Sequence, residues 1–384
     1  MKKILFNDIN KSCNNTKNIE FLFSDYELFR KKHFSSKCLL QLSKTYNASD
    51  LFLTHSATGG LEIIATLLDI KLGDEIIMPS FTFVSTAIAF VNKGATPVFI
   101  DIDPATLNID VTQIEQAITS KTKAIVAVHY GGHACNLEKL RAICDQHNLV
   151  LIEDAAMGFG CTYNEFPLGS YGDFGVISFD ITKHIQAVQG GLLLINNKKY
   201  AKRTHQIYNI GTNRTEYQEG SAPYYEWVDL GSKYQMNELN AAILFEQIEK
   251  SVELLNHRKK ISEDYYSRLK ILESTGYFQL MAREQVDVNV HEFYLLLKHE
   301  SERNALQNHL ANHGVEAFFH YIPLHLSKMG KEKGKFNALN ETTRVSNTLL
   351  RLPFHNNISN EDIHYICNHI EGYFSKKKSN SKSY

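Results

Sequence analysis

Residues 178–191 of this 384-residue chain read SFDITKHIQAVQGG, with one lysine, Lys183, between two apolar runs. The runs are GVISF, residues 175–179, and LLLI, residues 192–195. Such runs are typical of short buried strands, so the turn between them would hold the Lys183 amine at a strand end. The glycine pair that ends the turn would let a ligand approach the backbone closely. An amine held in this way can condense with an aldehyde to form a Schiff base, although a solvated surface lysine would have the same local sequence.

The bulk composition indicates a globular protein, with 43% hydrophobic and 22% charged residues. The formal net charge of −1 gives no overall field to attract nucleic acid or an anionic membrane. We expect no membrane span and no signal peptide, because no apolar run is long enough and polar residues soon interrupt the start of the chain. Six scattered cysteines without a C-x-x-C pair argue against a zinc site or a disulfide scaffold, and favour a cytoplasmic protein with reduced thiols. They are Cys13, Cys38, Cys135, Cys144, Cys161 and Cys367.

Short apolar runs alternate with helical patterns over the first half of the chain. The predicted strands are residues 51–54, 75–79, 96–100, 124–128 and 149–152. This alternation predicts an α/β fold with a mostly parallel sheet covered by helices on both faces. Ligands of such sheets bind beyond the carboxyl ends of the strands. Asp154, Lys183, Thr58 and Phe83 all fall at such ends, so we expect them to lie close together.

The pattern changes from Asn237, where helical spacing continues to about Leu272. We place a domain boundary within this helix, because it is long enough to bridge two units. Beyond it, the sequence predicts strands at 291–297 and 315–321 and helices at 301–313 and 360–374. A further helix is expected from Ser35 through Leu42. The expected organisation is an N-terminal segment (1–46), a large domain (47–250), a small C-terminal α/β domain (251–374) and a disordered tail (375–384).

Residues 56–59, SATG, stand between a short strand and a helix. The free N–H groups of a helix start can hold a phosphate, although a plain N-cap would look the same. Neither G-x-G-x-x-G nor a Walker lysine is present. Together with a strand-end lysine, a strand-end aspartate and a stacking aromatic, this turn provides what pyridoxal phosphate needs. A magnesium site at Glu153 and Asp154 is the rival interpretation, but adjacent strand residues point to opposite faces.

The chain resembles the DegT/StrS-type nucleotide-sugar aminotransferases, which belong to fold-type I of the pyridoxal phosphate enzymes. The resemblance runs from about Asp50 to Phe374. It includes LIEDAA (151–156), SFDITK (178–183), FFHYIPLH (318–325) and RLPFHNNIS (351–359). It implies a large domain with a mostly parallel seven-stranded sheet flanked by helices, a smaller C-terminal α/β domain, and pyridoxal 5'-phosphate as cofactor. It also implies a homodimer with shared active sites that uses glutamate and a nucleotide-linked keto-sugar.

The same resemblance assigns roles to individual residues. Lys183 would be the Schiff-base lysine, Asp154 the partner of the pyridinium nitrogen, and Phe83 the stacking aromatic. The phosphate would be held by Thr58, Ala57 and Ser178. Residues 233–235 would reach the neighbouring subunit's cofactor. Candidate substrate-binding residues are Arg214, Trp227, Gln235, His320, Tyr321 and His325.

Within the family, residues 211–214, GTNR, and 225–232, YEWVDLGS, are most similar to a subgroup that aminates dTDP-4-keto-6-deoxyglucose. The chain departs from the family at three positions near the expected cofactor. Met157 replaces a histidine or glutamine and would face the cofactor ring, while His184 replaces an asparagine and Gln189 a glutamate. The glycine-rich segment expected near residues 20–38 is also missing. Three alternatives remain open: a 3-aminotransferase, a dehydratase of the same fold, and a non-catalytic binding or regulatory protein.

Overall fold

The computed structural model describes residues 2–11, 16–282, 284 and 291–381, with side chains through Lys377. The strands are β1 (Asp50–Thr54), β2 (Glu75–Pro79), β3 (Thr96–Ile100), β4 (Thr122–Val128), β5 (Val150–Asp154), β6 (Thr162–Tyr163), β7 (Phe166–Pro167), β8 (Phe174–Ser178), β9 (Gly191–Ile195), β10 (Phe278–Leu280), β11 (Tyr294–Leu297), β12 (Lys335–Phe336) and β13 (Leu349–Arg351). The helices are α1 (Lys17–Leu22), α2 (Tyr26–Arg30), α3 (His33–Leu42), α4 (Ala57–Leu67), α5 (Val84–Val91), α6 (Leu137–His147), α7 (Ala201–Tyr208), α8 (Arg214–Gln218), α9 (Glu238–Glu249), α10 (Ser251–Glu273), α12 (Glu300–Asn312), α13 (Lys328–Lys333), α14 (Asn340–Thr348) and α15 (Asn360–Ser381).

The central sheet has the strand order β1-β9-β8-β5-β4-β2-β3-β12, in which only β9 runs antiparallel to its neighbours. The predicted α/β class and mostly parallel sheet are therefore confirmed. The expected count of seven strands is too low by one, because the two-residue strand β12 adds to the edge at β3. A strand that short has no recognisable period in the sequence.

Alternate residues of each strand enter two different cores. Ile77 and Leu192 pack with α3, α6 and α9 on one face of the sheet. Met78 and Leu193 pack with α4, α5 and α7 on the other face. This alternation follows from the two-residue period of a strand, and helices on both faces leave the carboxyl ends of the parallel strands as the open edge.

The long helical pattern after Asn237 is interrupted at Lys250, where α9 ends and α10 begins. From α10 onward, the antiparallel sheet β10-β11-β13 and its helices surround a third core, which also includes Phe81, Ile102 and Tyr130 from the first half of the chain. The division at 250/251 stays a prediction. The strand predicted at 315–321 is not formed, because this segment makes only single bridges, from Val315 to Ile4 and from Phe318 to Arg351. The tail expected to be disordered from residue 375 is helical through Ser381, since α15 contains no proline and its one glycine, Gly372, does not end it; residues 382–384 lie outside the described chain.

The N-terminal segment contains the helix expected from Ser35, which begins at His33, and two short helices that were not predicted. The carboxylate of Glu238, on α9, accepts hydrogen bonds from the Phe34 and Ser35 amides at 2.8 and 3.2 Å. It therefore caps the start of α3 and joins the segment to the large domain. Among the described residues no helix is long and apolar enough to cross a membrane. The five described cysteines are buried and form no disulfide, while Cys13 lies outside the described residues.

Candidate active site

A cavity of about 610 Å³ opens at the edge of the sheet where the parallel strands end. Its wall also includes Phe318, Phe319 and Arg351, from the C-terminal part of the chain. Nine of the predicted site residues line it: Lys183, Asp154, Ser178, Thr58, Ala57, Phe83, Met157, His320 and Tyr321. The expectation that the strand-end residues meet in space is therefore confirmed.

Backbone hydrogen bonds fix the turn that carries Lys183. The Phe179 amide donates to the Gly190 carbonyl oxygen at 2.8 Å, and the Ala187 amide donates to that of Phe179 at 2.8 Å. The Lys183 amide donates to the Asp180 carbonyl oxygen at 2.9 Å. Because Phe179 and Ala187 are fully buried, the turn is anchored in the core and presents Lys183 at the cavity.

The Lys183 side chain is half-buried, and its surroundings favour the neutral amine. Burial lowers the pKa of the amine from its usual 10.5, the Asp154 carboxylate opposes this change, and the Arg351 charge lowers the pKa further. A lower pKa raises the fraction of neutral amine near pH 7. Only that form acts as a nucleophile or accepts a proton.

Asp154 is the last residue of β5 and is 6% exposed. Its Oδ2 accepts a hydrogen bond of 2.6 Å from the Thr86 hydroxyl, which lies 2.8 Å from the Thr82 hydroxyl. Its Oδ1 accepts one from the Ala156 amide at 3.2 Å. These donors hold the carboxylate in one orientation, in which it can pair with a protonated ring nitrogen in the cavity.

Glu153 points away from the cavity. Its carboxylate accepts hydrogen bonds of 2.7–2.9 Å from three backbone amides of residues 169–172 and from the ring of His129. Both of its oxygens therefore bind the backbone of the loop at residues 169–172. The rival magnesium site, which needs Glu153 and Asp154 together, is wrong because the two carboxylates lie on opposite faces.

The start of α4 lines the part of the cavity where a phosphate was expected to bind. The Ser56 hydroxyl accepts a hydrogen bond from the Gly59 amide at 3.0 Å, so this amide is already used. The amides of Ala57 and Thr58 lie in the first turn, where no helical carbonyl is available to them. A Cβ atom at Gly191 would lie 2.5 Å from the Ala57 nitrogen. Gly191 thus lets the start of α4 approach the strand ends closely. The sequence analysis had expected a ligand, and not this helix, to approach the glycine pair.

Met157 and Phe83 occupy different depths of the cavity. Met157 is buried, and its sulfur accepts a hydrogen bond from the Gly131 amide at 3.3 Å. A thioether is only a weak acceptor and has no proton to donate. Phe83 is 58% exposed, immediately before α5, and its ring can cover a planar ligand from the open side.

A polar cluster at the cavity combines the predicted His320 with Arg351 and Glu292, two residues that the sequence reasoning missed. Arg351 Nε lies 2.8 Å from the Oε2 atom of Glu292, which is fully buried. His320 Nδ1 accepts hydrogen bonds from Arg351 Nη1 at 3.3 Å and from the Tyr130 hydroxyl at 3.2 Å. Burial and the Arg351 charge lower the pKa of His320 well below 6.5. The one available signal was an arginine within the apolar run of residues 349–352.

Arg214 and Trp227 do not reach the cavity of this chain. Trp227 is 78% exposed, and its indole N–H donates to the Asp229 carbonyl oxygen. The Arg214 guanidinium lies 5.9 Å from the centre of the Tyr225 ring. Both residues lie in an exposed segment that is rich in aromatic side chains.

Gln235 and His325 also lie outside the cavity. The Gln235 amide donates to Asn209 Oδ1 at 2.8 Å. His325 is buried, and its Nδ1 lies 2.7 Å from the Ser80 hydroxyl. His325 does not line the cavity, and its role as a substrate-binding residue stays a prediction.

The two family departures in the lysine turn face different ways. His184 is buried outside the cavity, where its Nε2–H donates to the Phe159 carbonyl oxygen at 2.8 Å. Gln189 lines the cavity, and its backbone carbonyl accepts from Asn240. Only Gln189 is therefore placed to touch a ligand.

The residues present fit pyridoxal 5'-phosphate. An amine (Lys183) and an oriented carboxylate (Asp154) share the cavity with two uncommitted helix-start amides, at Ala57 and Thr58, and the Ser178 hydroxyl. The amine matches an aldehyde, the carboxylate matches a pyridinium, and the amides match a phosphate.

Comparison with known proteins agrees with this donor set. A family model described as the DegT/DnrJ/EryC1/StrS aminotransferase family matches residues 42–371. The chain is 31% identical over 327 residues to the GDP-perosamine synthase of Escherichia coli O157:H7, covering 84% of this chain and 85% of that protein.

Two solved structures extend the fold comparison. A protein of Streptococcus pneumoniae in its PMP form has a TM-score of 0.87 and 24% identity, covering 99% of this chain and 100% of that one. DesI, in the presence of its TDP-sugar product, has a TM-score of 0.83 and 25% identity, covering 100% of this chain and 96% of that one. With the family match, these similarities identify the chain as a member of the DegT/DnrJ/EryC1/StrS aminotransferase family that uses pyridoxal 5'-phosphate.

Proposed function

We propose that this aminotransferase moves an amino group from glutamate to a nucleotide-linked keto-deoxysugar. The sugar substrate we propose is dTDP-4-keto-6-deoxyglucose, giving dTDP-4-amino-4,6-dideoxygalactose. The observation that carries the proposal is the placement of Lys183 beside Asp154 in one cavity, in a chain 31% identical to a GDP-perosamine synthase. The segments at 211–214 and 225–232 support the dTDP-linked substrate.

The bound cofactor supplies an aldehyde that carries the amino group and a ring that accepts electrons. With the cofactor bound, Lys183 would hold and move a proton at the substrate carbon, and burial lowers the pKa of its amine, which favours the proton-accepting form. Asp154, oriented by Thr86, holds the ring nitrogen protonated. Ala57, Thr58 and Ser178 hold the phosphate, and Phe83 covers the ring.

We propose that Arg351 binds a carboxylate of the amino donor. It lines the same cavity as Lys183, and a planar guanidinium matches a carboxylate in geometry and charge. The buried Glu292 carboxylate pairs with Nε, on the inner side of the guanidinium. This pairing also compensates the arginine charge when the uncharged sugar ring occupies the same place.

The proposed assembly is a homodimer with shared active sites. Its support is a set of large apolar side chains that are exposed in the single chain. They lie in residues 210–230 and in the segments around Phe83 and Lys183: Ile210, Tyr217, Tyr224, Tyr225, Trp227, Val228, Leu230, Phe83, Val84, Ile181 and Val188. An interface with a second copy of the chain would cover such side chains. In this assembly Arg214, Trp227 and Gln235 contact the substrate bound by the neighbouring subunit.

The other candidates differ from this proposal in identifiable residues. A sugar dehydratase of this fold carries a histidine in place of the lysine, whereas here Lys183 lines the cavity and His184 packs outside it. Met157 suggested a non-catalytic protein as an alternative. This alternative is disfavoured because the lysine, the aspartate and the helix start that can hold a phosphate are all present. A 3-aminotransferase would use the same residues. A GDP-linked keto-sugar is the second candidate substrate, because the GDP-perosamine synthase is 31% identical.

The test supplies purified protein with cofactor, glutamate and a panel of 3-keto and 4-keto sugars linked to dTDP, GDP or UDP. We expect 2-oxoglutarate and an amino sugar from the dTDP-linked 4-keto substrate, with Lys183→Ala inactive. Mass spectrometry and proton NMR identify the nucleotide, the aminated carbon and its stereochemistry. Turnover restricted to a GDP-linked or a 3-keto sugar would replace the proposed substrate, and loss of a sugar hydroxyl without amination would indicate a dehydratase.

A further inference from the structure

Three histidines lie together on the surface of the C-terminal part. His309 belongs to α12, His313 follows the end of that helix, and His369 belongs to α15. One ring nitrogen of each lies within 4.8 Å of one ring nitrogen of each of the others. Among the described residues, none that lines the active-site cavity belongs to α12 or α15. The cluster is therefore separate from the aminotransferase site.

Aromatic packing holds these three rings, which are all partly exposed. The His313 ring centre lies 4.4 Å from that of His309 and 4.1 Å from that of His369. Tyr373 packs 5.3 Å from His309, and Tyr365 packs 4.4 Å from His369. Rings that are already confined lose little side-chain entropy when they bind a ligand.

Backbone carbonyls determine which ring nitrogens carry a proton. His309 Nε2 lies 3.1 Å from the carbonyl oxygen of His369, and His313 Nδ1 lies 2.7 Å from that of His309. A carbonyl only accepts, so these nitrogens donate, and His309 Nδ1 and His313 Nε2 have lone pairs. Histidines that ligate metals almost always donate their second ring N–H in this way.

The cluster consists of three imidazole rings, with no thiolate or carboxylate among them. Neutral imidazoles without a thiolate or carboxylate suit Zn²⁺, Co²⁺, Ni²⁺ or Cu²⁺, whereas Mg²⁺ and Ca²⁺ require oxygen ligands.

We propose that His309, His313 and His369 bind one divalent transition-metal ion of the zinc class, with water as the remaining ligand. Metal–nitrogen bonds of about 2.0–2.1 Å place the nitrogens of a tetrahedral site about 3.4 Å apart. The three nitrogens lie within 4.8 Å of one another without an ion, so binding requires the rings to move closer together. The ion joins α12 to α15 and stabilises the folded protein, because it binds the folded state and not the separated helices.

The test uses the holoenzyme after removal of any polyhistidine tag and of unbound cofactor, since both bind the same ions. Zinc chloride is titrated by calorimetry, and cobalt chloride by visible absorption. We expect one zinc ion per chain, visible bands of tetrahedral cobalt, and a higher melting temperature with zinc. His313→Gln and His369→Gln each weaken binding by about 10-fold or more.

The matched control is His364→Gln, because His364 is exposed on α15 outside the cluster. This variant should bind zinc as the wild type does. All variants should keep the basal aminotransferase activity and the visible absorption of the bound cofactor, which shows that they are folded. Absence of stoichiometric zinc binding by the wild type, or equal affinity in His369→Gln and wild type, would overturn the proposal.

Discussion

Glu153 and Asp154 are consecutive residues of β5, and their carboxylates lie on opposite faces of the central sheet. Glu153 accepts four hydrogen bonds, three from backbone amides and one from His129, whereas Asp154 faces the cavity. We therefore expect separable roles for the two adjacent acids, with Glu153 acting in stability and Asp154, under the proposed function, in catalysis.

We expect Glu153→Gln to destabilise the protein by about 2–6 kcal/mol, because an amide nitrogen would face two buried donors at about 1–3 kcal/mol each. Asp154→Asn, which retains the size of the side chain, should change stability far less and reduce kcat by at least about 100-fold. Urea unfolding and steady-state kinetics measure the two effects. Similar losses of stability in both variants would contradict this division.

Arg351→Gln should raise the KM for glutamate by about 10- to 150-fold, since a hydrogen bond to a charged group contributes about 1.5–3 kcal/mol. The amino-sugar half-reaction, followed by the absorption of the bound cofactor, should change much less. The variant also leaves Glu292 buried without its ion-pair partner, and this alone lowers stability.

The double variant Arg351→Gln/Glu292→Gln separates these effects. Removing both charges should restore most of the stability, whereas the KM for glutamate should stay high. Recovery of glutamate binding in the double variant would show that Arg351 only compensates Glu292. Equal changes in both half-reactions would show that it does not discriminate the donor.

Local sequence was sufficient to predict most of the large domain and the residues at the strand ends. The predicted strands at 75–79 and 96–100 match β2 and β3 residue for residue. Lys183, Asp154 and Thr58 meet because each follows or ends a strand, and parallel strands end at one edge.

The residues that sequence reasoning missed depend on contacts between distant segments. Arg351 is the last residue of β13, and Glu292 lies two residues before β11. Because the two residues are far apart in the sequence, no local pattern indicates that they pair. His325 was a candidate substrate-binding residue because it belongs, with His320 and Tyr321, to the family-like segment FFHYIPLH. It packs against Ser80 instead, because the chain turns away from the cavity after Tyr321. A neighbour in sequence is therefore weak evidence for a neighbour in the site.

His184 should contribute to loss of stability in acid. Burial lowers the pKa of its ring from 6.5 to about 3, and the nearby Arg258 charge acts in the same direction. Between pH 6.5 and 3 the unfolded chain binds the proton and the folded chain does not, so the free energy of unfolding falls as the pH falls. At pH 4 this loss amounts to about 3 kcal/mol relative to neutral pH.

His184→Asn should therefore lose less stability than the wild type between pH 7 and pH 4, as measured by urea unfolding across that range. His299→Asn, a change at an exposed position before α12, is the matched control and should follow the wild type. A parallel pH dependence in His184→Asn and wild type would show that other groups cause the acid loss.

Val188, in the lysine turn, adopts a backbone φ of +63°, which is unfavourable for a β-branched residue. Its side chain is 51% exposed, so little packing offsets a strain of about 1–3 kcal/mol. We expect Val188→Gly to raise the free energy of unfolding by about 1 kcal/mol, because glycine relieves the strain and its flexibility in the unfolded chain cancels only part of the gain. Val252→Gly, at an exposed position in α10, should lower it by about 0.5 kcal/mol. Opposite signs in the two variants would identify backbone strain as the cause, whereas destabilisation by both would show that contacts of the Val188 side chain outweigh it.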